Sequence, residues 1–187
     1  MDCGAGLGTT IYLSKNYFNN PSLYAYENDI FTHKYLEHIG AKYFSGDLLE
    51  SLKSEKKETY NLIILSHFLE HISPSSLVNY VELLLSKLKA EELLLIEVPH
   101  DNWMKYPHLL SSNPPHVGFF SIKALKTLFN TRAHIHSCKA IGSSVHKKRS
   151  LIIKIVEKIY STIYSVVFKV PYTMNGNCII ICVGAKH

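Results

Sequence analysis

The stretch that decides the fold is Asp2-Cys3-Gly4-Ala5-Gly6-Leu7-Gly8, in which every second residue from Gly4 onward is glycine. Glycine permits a sharp backbone turn and lets a ligand approach more closely than any Cβ would allow. Residues 9–18 have a helical pattern, and the free amide groups at a helix start favour the negative end of a ligand. Glu27 follows Gly8 by 19 positions and ends a predicted strand, where a carboxylate can accept hydrogen bonds from both ribose hydroxyls.

Other classes of glycine-rich turn fit this sequence less well. The phosphate loop of ATP and GTP enzymes requires Gly-Lys-Ser/Thr, which is absent here. Nicotinamide enzymes use G-x-G-x-x-G, whereas the glycines of this chain are spaced G-x-G-x-G. The spacing disfavours a nicotinamide-dependent oxidoreductase, which stays open as an alternative.

Apolar runs alternate with helical segments along the rest of the chain, which is typical of an α/β fold. The strands are continuous apolar runs, and this predicts a mostly parallel sheet covered on both faces. The predicted strands are 22–27, 42–44, 60–66, 92–98, 134–141 and 178–184, and the predicted helices are 9–18, 29–39, 48–58 in part, 74–89, 121–129 and 148–168.

Length and composition indicate a single globular domain of 187 residues, with 47% hydrophobic and 19% charged residues. We divide it into a cofactor-binding half, 1–99, and an acceptor-side half, 100–187. Residues 1–102 carry a net charge of −6 and residues 103–187 a net charge of +11, but the basic residues are spread out, which does not indicate nucleic-acid binding. Four cysteines without a C-x-x-C pair predict reduced thiols in a cytoplasmic protein, with Cys178 and Cys182 in the core.

An acid two residues before the first glycine of G-x-G-x-G resembles motif I of the class I S-adenosylmethionine-dependent methyltransferases. Glu27 matches the acid that ends the second strand in that family, and Ser45-Gly46-Asp47-Leu48 resembles the segment after the third strand. His67-Phe68-Leu69-Glu70-His71-Ile72 resembles the segment after the fourth strand. Glu97-Val98-Pro99-His100 and His116-Val117-Gly118-Phe119-Phe120-Ser121 are similar to the branch that includes small-molecule and sugar methyltransferases.

The resemblance implies a Rossmann-like, doubly wound sheet and S-adenosylmethionine as the cofactor. It implies that Asp2, Gly4, Ala5, Gly6 and Gly8 hold the amino-acid part of the cofactor. It places Glu27 and Asn28 at the ribose, Asp47 and Leu48 at the adenine, and Ser66 and His67 beside them. The acceptor is expected to be a small molecule, a sugar or a lipid precursor.

The family's first strand is central in the sheet and ends at the acid of motif I. Because Asp2 is the second residue here, we expect most of that strand and the preceding helix to be missing. Such a loss leaves backbone groups of two neighbouring strands unpaired. We therefore expect a truncated chain that binds the cofactor weakly or not at all, and a catalytically dead fragment or binding module is the alternative. The family's Pro-Gly-Gly turn is replaced by Lys89-Ala90-Glu91-Glu92.

Three histidines are catalytic candidates: His67 as a wall of the cofactor or acceptor pocket, and His100 and His116 as bases, because imidazole takes up protons near neutral pH. His67 follows a buried strand, His100 follows the next one, and His116 lies beyond the loop after it. His67 and His71 also fit the zinc-peptidase pattern H-x-x-E-H. The segment lies inside the methyltransferase pattern, so no metal is expected.

Residues 147–170 join a basic start to an apolar helical stripe. One interpretation is a helix that packs on the sheet or covers the acceptor site. The other is peripheral contact with a membrane surface or with a lipid-like substrate, because basic residues beside an apolar face favour anionic interfaces. Charged residues interrupt this stretch, so it is not expected to span a bilayer.

Overall fold

A computed structural model describes residues 1–19, 21–99, 116–118, 120–141 and 178–185. Strands and helices alternate along them, as the apolar pattern predicts. The strands are β1 (Asp2–Cys3), β2 (Tyr24–Tyr26), β3 (Lys42–Phe44), β4 (Tyr60–Ser66), β5 (Leu88–Pro99), β6 (Ala133–Ile141) and β7 (Cys178–Ala185). The helices are α1 (Thr9–Tyr17), α2 (Ile30–Ile39), α3 (Leu48–Ser54), α4 (Pro74–Lys87) and α5 (Ile122–Asn130), with a 3₁₀ turn at Leu69–His71.

The seven strands form one sheet in the order β3-β2-β1-β4-β5-β7-β6. The pairs from β3 through β5 are all parallel, whereas β7 runs antiparallel to both β5 and β6. The expected doubly wound, mostly parallel α/β fold is therefore confirmed. The chain order reverses at β1, so the ends of β1 and β4 flank the switch point where such sheets bind ligands.

Strand β1 is central and consists of two residues. Asp2 pairs with Ala25 of β2 and with Ile64 of β4, so the short strand joins both neighbours. The Met1 ammonium group donates to the Leu62 carbonyl at 2.7 Å. Beyond Met1, a cavity of about 440 Å³ lies between the amino ends of β2 and β4.

The turn expected at residues 89–92 lies inside β5. Tyr60 of β4 pairs with Leu88, but Leu62 pairs with Leu93. Between these two pairs β4 advances by two residues and β5 by five. Residues 89–92 therefore form a bulge that is not paired with β4. Glu91 has a φ of 62°, a left-handed conformation that suits such an excursion.

The core lies on the two faces of the sheet. On one face, α4 packs against β5 and β7 and places Val81, Leu84 and Leu85 in the main core. The other face holds a smaller cluster under α1 and α2, formed by Ala5, Ile11, Ala25, Leu36 and Ala41.

The last strand corrects one expectation about the core. Ile179, Ile181 and Val183 are fully buried, whereas Cys178 and Cys182 point to the opposite face and are half-buried. Because side chains of a strand alternate between faces, Ile180 shares the half-exposed face with the two cysteines.

Residues 100–115 and 142–177 lie outside the described residues, and so do the predictions for His100 and for the helix within 147–170. Within the described part of the chain, none of the helices combines the length and hydrophobicity needed to cross a bilayer. The division into halves at residue 99 stays a prediction.

Candidate active site

Four turns meet at the carboxyl ends of β1, β2, β3 and β4. The amide of Gly4, after β1, donates to the Tyr26 carbonyl at 2.9 Å. The amide of Glu27, after β2, donates to the Phe44 carbonyl at 3.0 Å. Parallel strands end at one edge of a sheet, so these contacts bring the predicted turns together there.

The glycine turn has the backbone that its sequence predicts. Gly4, Gly6 and Gly8 have φ values of 79°, 52° and 79°, and Gly8 is the residue before α1. No described atom lies within 4 Å of the position that a Cβ on Gly6 would take. The turn therefore leaves an open space beside Gly6, which a ligand can enter.

Glu27 links this turn to the start of α2. Its Oε2 accepts from the Gly6 amide at 2.7 Å, and its Oε1 accepts from the Asp29 amide at 2.8 Å. Each carboxylate oxygen can accept a second hydrogen bond. Glu27 is half-buried, so these remaining acceptor positions are available to ligand hydroxyls.

Asn28 and Tyr26 join the second turn to the third. The Asn28 side chain donates to the Tyr26 hydroxyl at 2.8 Å and accepts from the Gly46 amide at 2.7 Å. The Tyr26 hydroxyl donates to the Gly46 carbonyl. Asp47 is exposed and caps α3 by accepting from the Glu50 amide at 3.0 Å. Leu48 is 1% exposed, so its side chain is part of the core.

His67 lies at the end of β4 with a φ of 52°, which is rare for a residue other than glycine. Such strain concentrates at functional sites. Its Nδ1 lies 3.3 Å from Glu70 Oε1, and this contact raises the pKa of His67 against the opposing effect of burial. Its neighbour Ser66 donates to Glu97 Oε2 at 3.0 Å.

The structure brings two predicted catalytic histidines to either side of Glu70. The amides of Val117 and Gly118 both donate to the Glu70 carbonyl at 2.9 Å, which holds the segment after the long loop against the 3₁₀ turn. His116 thereby packs its ring against that of His71, with centroids 4.8 Å apart. Burial lowers the pKa of His116, which favours its neutral form.

Solved structures share this architecture. A SAM-dependent methyltransferase from Archaeoglobus fulgidus is 20% identical, with a TM-score of 0.68, over 97% of this chain and 83% of that one. One from Methanosarcina mazei is 14% identical, with a TM-score of 0.65, over 100% and 92%. A TehB-like SAM-dependent methyltransferase from Corynebacterium glutamicum is 11% identical, with a TM-score of 0.59, over 99% and 78%. The fold is the class I methyltransferase fold. No protein-family model and no curated protein matches the sequence.

In this methyltransferase fold, Asp2 is the acid before the glycine turn. It is 2% exposed, and Oδ1 has no hydrogen-bond partner among the described residues. Burial raises its pKa to about 6, although the Met1 ammonium and a hydrogen bond with Thr10 lower it. Asp2 therefore lies buried at the start of the turn, with its side chain beside Thr10 of α1.

A pH dependence of stability follows from Asp2. Its folded pKa of about 6 exceeds the ordinary value of 3.8, so the unfolded chain loses this proton first as pH rises. We expect unfolding free energy to fall by about 2 kcal/mol more in the wild type than in Asp2→Asn between about pH 4 and about pH 7. Urea unfolding at several pH values measures this difference, and parallel pH profiles would contradict it.

Three residues of this edge are absent from the sequence-based site. Tyr26 and Phe68 pack edge to face with centroids 5.9 Å apart, and a Cβ on Gly4 would lie 3.3 Å from Phe68. Glu97 is the third, and it bonds Ser66. Its signal in the sequence is an acid that follows the apolar run 93–96 near the end of the strand.

Proposed function

We propose that this chain is an S-adenosylmethionine-dependent methyltransferase acting on a small-molecule, sugar or lipid-precursor acceptor. One observation carries the proposal: Gly6 has open space beside it and donates its amide to Glu27 at the switch point of a class I methyltransferase fold. An open glycine turn next to a carboxylate with free acceptor positions suits the amino-acid and ribose parts of the cofactor.

Each of the four turns would bind a different part of the cofactor. The amides of Gly4, Ala5, Gly6 and Gly8 already donate within the fold, so backbone carbonyls of the turn after Asp2 would bind the ammonium group of the amino-acid part. Glu27 would accept from the ribose hydroxyls, and Asn28 fixes the third turn beside it. Asp47 and the backbone of Leu48 would flank the adenine, and Ser66 and His67 would border the reacting centre.

S-adenosylmethionine, when bound, supplies a methyl group on a positively charged sulfur. The chain's residues then serve to hold the acceptor in line with that methyl and to exclude water. We assign His67 to receive the proton that the acceptor loses, because its ring is 49% exposed at this edge. Glu70 would stabilise the resulting imidazolium through the Nδ1 contact. His100 and His116 remain further candidates for this role.

The two residues of β1 are paired on both sides, which supports cofactor binding by the chain as it stands. Asp2 and Cys3 pair with both β2 and β4, and the glycine turn after them is hydrogen-bonded to Tyr26. We therefore propose that the 187-residue chain itself binds the cofactor, in place of the weak or absent binding expected from the sequence. Contact of residues 147–170 with a membrane surface also stays a proposal.

Calorimetric titration of S-adenosylhomocysteine into the chain tests the proposed function. We expect one binding event per chain in the micromolar range and no heat from NAD⁺. A chain that binds S-adenosylhomocysteine is then incubated with S-adenosylmethionine and a panel of hydroxylated and amine-bearing small molecules, with product S-adenosylhomocysteine as the readout. NAD⁺ binding would favour an oxidoreductase, and binding of neither ligand would favour a catalytically dead module.

A further inference from the structure

A second group of polar side chains lies beside the proposed methyl-transfer site. One carboxylate oxygen of Glu70 and one ring nitrogen each of His71 and His116 lie within 4.8 Å of one another. Two imidazoles and one carboxylate form the donor set of many zinc sites that keep a fourth position for water or substrate. The methyl-transfer chemistry proposed above uses Glu70 through its contact with His67, gives His71 no role and leaves the second oxygen of Glu70 unused.

The surroundings of the Glu70 carboxylate are the strongest evidence for a metal site. Glu70 is fully buried, and its Oε1 contacts His67 Nδ1 at 3.3 Å. Its Oε2 has no hydrogen-bond partner among the described residues. A buried carboxylate oxygen without a partner is costly, and a bound cation would remove that cost.

The backbone brings the third ligand into place. Val117 and Gly118 both donate to the Glu70 carbonyl, so His116 is held beside residues that precede it by more than forty positions. The rings of His71 and His116 are nearly perpendicular, with an interplanar angle of 87°. Both histidines are half-buried, which leaves one side of the cluster open to solvent.

We propose that Glu70, His71 and His116 bind a zinc ion, with the fourth position open to water or to a ligand. Ligand atoms around a tetrahedral zinc lie about 3.3 Å apart. The three ligand atoms therefore need to approach one another by roughly 1.5 Å at most. His67 would orient the zinc-binding carboxylate, because its Nδ1 contacts Glu70 Oε1 and leaves Oε2 for the metal.

This site differs from the pair that the pattern H-x-x-E-H suggests. That pattern joins His67 to His71, but the structure places His67 on Glu70 and supplies His116 to His71. A competing cluster consists of His67, Glu97 and Cys178, also within 4.8 Å. It is the weaker candidate because Glu97 already accepts from Ser66 and none of the three has a buried atom lacking a partner among the described residues.

Zinc titration into the chelator-treated full chain, free of any affinity tag, tests the proposal. We expect one zinc per chain, with an affinity that falls about 100-fold in Glu70→Gln and in His116→Ala. Cys178→Ser and Glu97→Gln are the matched controls for the competing cluster, and their zinc affinity is expected to stay within twofold of the wild type. Circular dichroism spectra and thermal melts establish that each variant is folded.

Cobalt(II) provides a second readout that does not depend on the variants. A site of two imidazoles and one carboxylate gives visible ligand-field bands without thiolate-to-cobalt charge transfer. Three results would each overturn the proposal. The wild-type chain takes up no stoichiometric zinc, zinc affinity falls only in Cys178→Ser, or the cobalt spectrum shows a thiolate charge-transfer band. S-adenosylhomocysteine titration of the metal-free chain is measured separately, so failure of the zinc site is distinguishable from failure of the proposed function.

Discussion

Gly6→Ala is expected to weaken S-adenosylhomocysteine binding by about 30-fold, or ~2 kcal/mol. The new methyl group would enter the open space beside the turn, where a Cβ at Gly6 meets no described atom. It would therefore strain no contact within the described fold and would instead keep the ligand from approaching the backbone. Calorimetric titration of the variant and of the wild type measures the difference.

Gly40→Ala is the matched control for the backbone cost. Gly40 has a φ of 90° at the end of α2, and a Cβ there would lie 4.0 Å from the Lys15 side chain. Alanine in the left-handed conformation costs about 1 kcal/mol at either position. Both variants should thus lose similar stability in urea, while only Gly6→Ala loses binding. Equal affinity in the two variants would place the ligand elsewhere.

Glu27→Gln is expected to reduce S-adenosylhomocysteine affinity by about 50-fold and unfolding free energy by about 1 kcal/mol. Each oxygen of Glu27 accepts one backbone hydrogen bond, from Gly6 and from Asp29. A glutamine has one acceptor oxygen, so one of the two amides would face an NH₂ group. The substitution also removes the negative charge that strengthens hydrogen bonds from ribose hydroxyls. Calorimetry and urea unfolding measure the two effects.

Glu37→Gln controls for the loss of one negative charge from this part of the surface. Glu37 is exposed on α2 and accepts from the Tyr43 hydroxyl at 3.1 Å. We expect its affinity for S-adenosylhomocysteine to match that of the wild type. A similar loss in both Glu27→Gln and Glu37→Gln would show that net charge, and not the position of Glu27, governs binding.

Local patterns predicted the part of the site that depends on short stretches of chain. Gly4, Gly6 and Gly8 require left-handed backbone, and their spacing reveals the turn without a structure. The end of the apolar strand at Glu27 likewise places an acid at the carboxyl edge of the sheet. These features depend on few neighbours, so the sequence around them carries the information.

The sequence did not predict features that depend on contacts between distant segments of the chain. The contact between Glu70 and His116 exists because the backbone of residues 117–118 bonds Glu70, and no local signal encodes that pairing. Leu48 follows the predicted adenine-binding acid, yet its side chain is in the core because α3 begins there. The half-burial of Cys178 depends on which face β7 presents after pairing with both β5 and β6.

The most direct test of the cofactor site is an amide NMR titration of the isotope-labelled chain with S-adenosylhomocysteine. We expect shifts that concentrate on the four turns at one edge, at residues 4–8, 27–29, 46–48 and 66–68. Amides at the opposite edge, such as Leu23 and Thr59, serve as internal controls and should stay in place. Shifts centred on the cavity beside Met1, or no shifts at saturating ligand, would contradict the assignment of the cofactor site.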